Sequence, residues 1–91
     1  MRNPEWLKKT LKKYNLTLEF YENMRKTQNF SCLICKNSEI NNIHKCLDID
    51  HCHVTGKVRG LLCNNCNSGI GFSKENIQTL EKAIEYLNKN K

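Results

Sequence analysis

Apolar residues recur along this chain in two rhythms. Trp6, Leu7 and Leu11 stand at helical spacing with lysines on the opposite face, and Asn3-Pro4 reads as an N-cap followed by a first-turn proline, so a helix is predicted over roughly residues 4–14. After a break at Asn15, Thr17 can cap a second helix with Phe20, Tyr21 and Met24 as its apolar stripe, ending near Gln28. The period then changes. Leu47 and Ile49 alternate with Asp48 and Asp50, Thr55-Gly56 marks a turn, and Lys57-Val58-Arg59 extends again, which predicts a β-hairpin over 47–62. From Ser73, read as an N-cap, Ile77, Leu80, Ile84 and Leu87 define one face of a last helix of about fourteen residues. The expected class is α+β. No internal repeat, low-complexity tract or linker interrupts the chain.

Composition adds a constraint on stability. Ninety-one residues, 38% of them hydrophobic and 8% aromatic, predict a single domain with a core too thin to be comfortable alone. Three parts are expected within it: a helical arm over 1–28, a central segment over 29–72 and a helix over 73–91. Six cysteines could supply the missing staple, as disulfides or as metal ligands. The first thirteen residues hold no apolar run that would read as a secretory signal, and no stretch approaches the about 18 to 20 apolar residues of a membrane span. An intracellular, cytoplasmic protein with reduced thiols and no membrane partner is therefore expected, and metal binding is the default role for the cysteines.

Two C-x-x-C pairs, Cys32-Leu33-Ile34-Cys35 and Cys63-Asn64-Asn65-Cys66, each form a tight turn able to converge two thiolates on one ion. Zinc takes four such ligands tetrahedrally, and a closed four-cysteine site leaves no position for water, so the zinc is expected to be structural. The intervening residues, 36–62, exceed the roughly 15 to 20 of simple two-knuckle sites. The hairpin is the insert. Cys46 and Cys52 lack a partner knuckle and are read as free thiols, and no βαβ pattern surrounds either pair to favour a redox dithiol.

The hairpin carries Asp50-His51-Cys52-His53, and Asn67 follows the second knuckle. Phosphodiester hydrolysis needs a base for water, a hard cation to neutralise charge developing on the phosphoryl oxygens, and oxygen ligands for that cation. An imidazole such as His51 titrates near neutrality; Asp50 and Asn67 offer the carboxylate and carbonyl oxygens that Mg²⁺ prefers; Arg59 could grip a phosphate oxygen. An Asp-His pair in a hairpin is ordinarily only a surface hydrogen-bonding pair, and its place between two knuckles gives it weight. A geometric condition applies. In a regular strand Asp50 and His51 face opposite sides, so both reach one site only where the strand ends or bulges.

The formal charge of +6 is concentrated in residues 1–28, which hold seven basic against three acidic side chains. Lys8, Lys9, Lys12 and Lys13 share one helix, either as a solvated face or as a surface for a polyanion.

Together the runs Leu11-Lys12-Lys13-Tyr14-Asn15-Leu16-Thr17, Cys32 to Cys35 and Asp50 to Asn67 resemble the recombination endonuclease VII family of phage nucleases, within the HNH or ββα-metal superfamily, over roughly residues 11–72. The resemblance implies a zinc at Cys32, Cys35, Cys63 and Cys66, and a ββα unit formed by the hairpin and a helix starting near Asn64. It further implies His51 as general base, Asp50 and Asn67 as ligands of one Mg²⁺ or Mn²⁺, and His53 assisting at the scissile phosphate. The activity implied is metal-dependent hydrolysis of DNA leaving a 5′-phosphate, in a bacterial or phage-infected cytoplasm. Lys8, Lys12, Lys57 and Arg59 are the candidate DNA contacts. Cys52 departs from the pattern, standing where members often carry an acidic residue. Relatives that cut branched DNA are longer and form intertwined dimers, so strand nicking is the expectation here and homodimerisation is left open. The rival reading is a non-catalytic zinc module that binds DNA or a protein.

Overall fold

The computed structural model describes residues 5–43 and 45–90. It is α+β: α1 (Glu5–Lys13), α2 (Leu18–Thr27), a short 3-10 helix (Glu39–Asn41), β1 (Asp48–His51), β2 (Val58–Leu62), α3 (Asn64–Phe72) and α4 (Ile77–Lys89). The expected cap at Asn3-Pro4 lies outside the described residues.

Three of the helices end in the same way. Asn15 takes a left-handed conformation (φ 56°) and Leu16 N–H donates to the Leu11 carbonyl at 2.8 Å, which satisfies a carbonyl that α1 would otherwise leave unpaired. Phe30 to Arg25 (2.8 Å) closes α2 and Glu75 to Ile70 (2.9 Å) closes α3, in both cases through two consecutive left-handed residues that are not glycine. At the other end of α2 the Thr17 hydroxyl accepts from Phe20 N–H at 3.1 Å, as its sequence position predicts.

The core is small. Leu7 and Leu11, one turn apart on α1, pack with Tyr21 of α2, Leu47, Ile49, Leu61 and Leu62 of the hairpin region, and the Cys32 and Cys63 side chains. The stripe expected on α2 is only partly buried: Tyr21 is inside and Met24 packs at the edge, while Phe20 is 50% exposed. Glu39 is buried because Arg25 answers it, with Nε donating to Oε1 at 2.9 Å.

The hairpin is antiparallel, with Asp48 opposite Leu62, Ile49 opposite Leu61 and Asp50 opposite Gly60. The register then shifts so that His51 faces Val58, leaving Arg59 as the extra residue of a bulge. The outer edge of β2 is covered by the Gln28 side chain, whose amide donates to the Leu61 carbonyl at 2.8 Å and accepts from Leu61 N–H at 2.9 Å. Gly60 lets these side chains lie close: a Cβ would meet Leu33 Cδ2 at 3.0 Å and Gln28 Oε1 at 3.2 Å, so both would have to give by a few tenths of an ångström.

The last helix differs from expectation. Asn76, rather than Ser73, caps α4 by accepting from Thr79 N–H at 3.0 Å; Ser73 closes α3, its hydroxyl donating to the Gly69 carbonyl at 3.1 Å. Both residues are good caps, and the left-handed pair Lys74-Glu75 between them delays the restart of the helix. The apolar face of α4 lies open, with Ile77 at 70% and Leu87 at 65% exposure, so this helix adds no buried residue to the core. No helix among the described residues is long and apolar enough to cross a membrane.

Candidate functional site

The two knuckles meet beside the hairpin. In the first, Cys32 N–H donates to the Asn37 carbonyl and Lys36 N–H to the Cys32 carbonyl, at 2.9 and 3.0 Å, and Lys36 adopts φ 68° to turn the chain. The second is a helix start: Cys63 is the N-cap of α3, and its Sγ accepts from Cys66 N–H at 3.4 Å. The Sγ atoms of Cys32, Cys35, Cys63 and Cys66 all lie within 4.8 Å of one another. Cys35 and Cys63 are 3.7 Å apart. Tetrahedral zinc with bonds of about 2.3 Å sets its sulfurs about 3.8 Å apart, so the cluster suits a zinc site. Cys46 and Cys52 stand outside it, and none of the six cysteines is in a disulfide.

The sulfurs do not ionise alike. Burial raises the Cys32 thiol, but the backbone N–H groups of Cys63, Cys35 and Ile34 outweigh it and bring the group down to about 6. Burial and the neighbouring sulfurs push Cys66 up to about 12, and burial also pushes Cys63 up. Without a cation, Cys63 and Cys66 therefore keep their protons at neutral pH, and zinc must expel both. Apparent zinc affinity is expected to rise with pH by at least about 100-fold per unit near pH 7, and zinc to leave on acidification. Competition against a chromophoric chelator between about pH 6 and 8 measures the slope; a flat profile would mean that the four sulfurs do not act together.

A second group of polar side chains gathers where β1 ends. The Asp50 side chain is only 10% exposed, and the Arg59 guanidinium grips it side-on, Nε to Oδ2 at 2.7 Å and Nη2 to Oδ1 at 3.0 Å. The same Nη2 donates to Glu75 Oε1. Glu75 Oε2 in turn lies 3.4 Å from His53 Nδ1. Asp50 and Glu75, by accepting from it, hold the Arg59 guanidinium even more firmly protonated than usual. His51 is half-buried between two rings, its centroid 4.8 Å from that of Tyr14 and 5.0 Å from that of His53. The Tyr14 hydroxyl is 2.8 Å from Nδ1 of His51 and 3.5 Å from Nε2.

β1 ends at His51, and Arg59 bulges out of β2 opposite that end. Asp50, His51, His53 and Arg59 are linked by direct contacts or through Glu75. Asn67 lies in the first turn of α3, which packs against β1. Arg59, a candidate phosphate contact from the sequence, is paired with the two carboxylates. Lys57 is exposed just before β2, and Lys8 and Lys12 are exposed on α1, where Lys8 sits 3.7 Å from Glu5. Because Tyr14 directly follows α1 and touches His51, the basic helix is joined to this group of residues.

Two members were not singled out from the sequence. Tyr14 could have been suspected from its position straight after the lysine-rich helix. Glu75 carries no such signal, since only the backbone turn after α3 brings it to Arg59 and His53.

The family model described as recombination endonuclease VII matches residues 7–89. The Gene 59 protein of Mycobacterium phage D29 is 41% identical over 85 residues, covering 92% of this chain and 50% of the relative. The Gene 59 protein of Mycobacterium phage L5 is 39% identical over 83 residues, covering 90% and 49%. The chain thus spans about half the length of the curated relatives it matches. No solved structure matches. With nearly all of its length inside one family's pattern, the chain belongs to the recombination endonuclease VII family.

Proposed function

We propose that this chain is a metal-dependent DNA endonuclease of the HNH type, with a zinc that holds its fold and a separate divalent cation for chemistry. The observation that carries the reading is the grouping where β1 ends: Asp50 is bound by Arg59 and linked through Glu75 and His53 to His51, the last residue of the strand. In this reading His51 takes a proton from water as the water oxygen attacks phosphorus in line with the 3′ oxygen. The P–O3′ bond breaks, the 3′ oxygen leaves and is protonated, and the phosphate stays on the 5′ end. Asp50 and Asn67 would hold Mg²⁺ or Mn²⁺; both offer the oxygen donors these ions prefer, and Asp50 is a carboxylate already answered by a positive charge, that of Arg59. When bound, such an ion supplies charge stabilisation at the phosphoryl and leaving oxygens.

The remaining roles follow from position. His53 stands beside His51 and is read as assisting at the scissile phosphate. Lys57 on the hairpin and Lys8 and Lys12 on α1 present positive charge to the DNA backbone, joined by Arg59 once a cation has taken its place on Asp50. Contacts of this kind position a duplex without reading its sequence, so weak sequence preference is expected. The bacterial cytoplasm suits the reduced thiols and the phage relatives.

A second reading, a zinc module that binds without cutting, is favoured by one observation: both Asp50 oxygens are engaged by Arg59. The two are separated by the ends formed on incubation of duplex DNA with zinc-loaded protein and Mg²⁺. The nuclease reading expects nicks that DNA ligase reseals without prior kinase treatment, since the 5′ end keeps its phosphate. Nicks that resist ligation, or none, would contradict it.

A further inference from the structure

Arg59 places one positive charge between two carboxylates, and they are unlike in setting. Asp50, on β1, is nearly enclosed; Glu75, after α3, is more open at 23% exposure. Glu75 is held by the backbone, since it and Lys74 both occupy the left-handed region (φ 55° and 54°) and its N–H donates to the Ile70 carbonyl at 2.9 Å. Non-glycine residues adopt such a conformation rarely, and here two in succession aim a side chain at Arg59 and His53. Arg59 itself is the extra residue of the bulge, free of the regular pairing that fixes its neighbours.

Resting on the reading of Asp50 as the cation's ligand, the ion pairs raise a problem of charge. Arg59 binds both Asp50 oxygens, so a dication arriving at this carboxylate competes with the guanidinium for it. A guanidinium set loose beside a dication is repelled unless another anion holds it. Glu75 is already bonded to the same nitrogen, Nη2, that reaches Asp50 Oδ1. We propose that Glu75 is a positioning residue of the cation site: it retains Arg59 while the Asp50 carboxylate passes from the guanidinium to the incoming cation. The cation adds two positive charges, of which Asp50 offsets one, while Glu75 keeps the guanidinium paired. The guanidinium, parked on Glu75 next to the ion, then has donors to spare for an anionic phosphodiester.

The test measures Mn²⁺ binding by zinc-loaded protein without DNA, reading free Mn²⁺ by electron paramagnetic resonance. Wild type is compared with Asp50→Asn, Glu75→Gln, Arg59→Gln and the double variant Glu75→Gln/Arg59→Gln. Glu75→Gln is expected to bind Mn²⁺ about tenfold more weakly than wild type. In the Arg59→Gln background, where no guanidinium needs a place, the same substitution should change binding by less than about threefold. That background also shows that Gln at 75 is compatible with a folded site. Equal weakening in both backgrounds would mean that Glu75 acts only through its field and would overturn the exchange, as would unaltered binding by Glu75→Gln in the wild-type background. If instead Asp50→Asn binds as well as wild type, the assignment of Asp50 as ligand falls, and the exchange with it.

Discussion

Stripping zinc from this protein, or replacing Cys63 with serine, is expected to abolish its cooperative thermal transition. Ten hydrophobic residues are buried among those described, three of them cysteines, and α4 contributes none. Domains are stable by only about 5 to 15 kcal/mol, whereas zinc binding to small four-ligand sites supplies on the order of 10 kcal/mol of folding free energy. The zinc contribution is thus comparable to the whole margin. Cys63 is the most exposed to such a test because it does three things at once: it belongs to the four-sulfur cluster, caps α3 and packs in the core. Circular dichroism melts of zinc-loaded, chelator-treated and Cys63→Ser protein measure the effect. Cys52→Ser, outside the cluster, is the control and should melt like wild type. A chelated protein that keeps a sharp transition would show that the core suffices without metal.

His51→Ala is expected to lower the rate of DNA cleavage by about 10²- to 10⁴-fold, the range that positioned proton transfer contributes. Zinc content and DNA affinity should change little, because His51 is not among the clustered sulfurs and is not one of the basic side chains offered to the backbone. His53→Ala should cost less than His51→Ala, since the His53 side chain is 65% exposed and is linked to Asp50 only through Glu75 and Arg59. Single-turnover rates at saturating protein, with DNA retention in a gel measured in parallel, separate loss of chemistry from loss of binding. Equal rates for wild type and His51→Ala would remove His51 from the base role.

The parts of this fold that local chemistry dictates were legible in the sequence. Thr17 announced the start of α2 and Asn15 the end of α1, because capping is a matter between near neighbours. The spacing of four cysteines announced the cluster, since two turns with sulfurs at both corners have few ways to meet. The bulge could be stated only as a condition, and Arg59 as the bulged residue was not foreseen. What depended on tertiary placement was misjudged or missed. Ser73 and Asn76 are both competent caps, and only the left-handed turn between them decides that the first closes α3 and the second opens α4. Phe20 fits the α2 periodicity yet lies outside the core, lining an open groove with Met24, Leu33 and Gly60. The pairing of Arg59 with Glu75 was missed because the two are distant in sequence. Tyr14 read only as the residue after a basic helix, and its contact with His51 arises from how α1 packs on the hairpin.

The central claim, that this chain cuts DNA with His51 as base, is tested most directly by converting supercoiled plasmid to nicked circles. Zinc-loaded wild type with Mg²⁺ or Mn²⁺ should yield nicked circles, lose that activity on removal of the divalent ion, and be matched by a near-inactive His51→Ala protein purified in parallel. Wild-type protein that retards the plasmid in a gel yet leaves it supercoiled at every divalent concentration would contradict the account and leave a zinc module that binds DNA without cutting it.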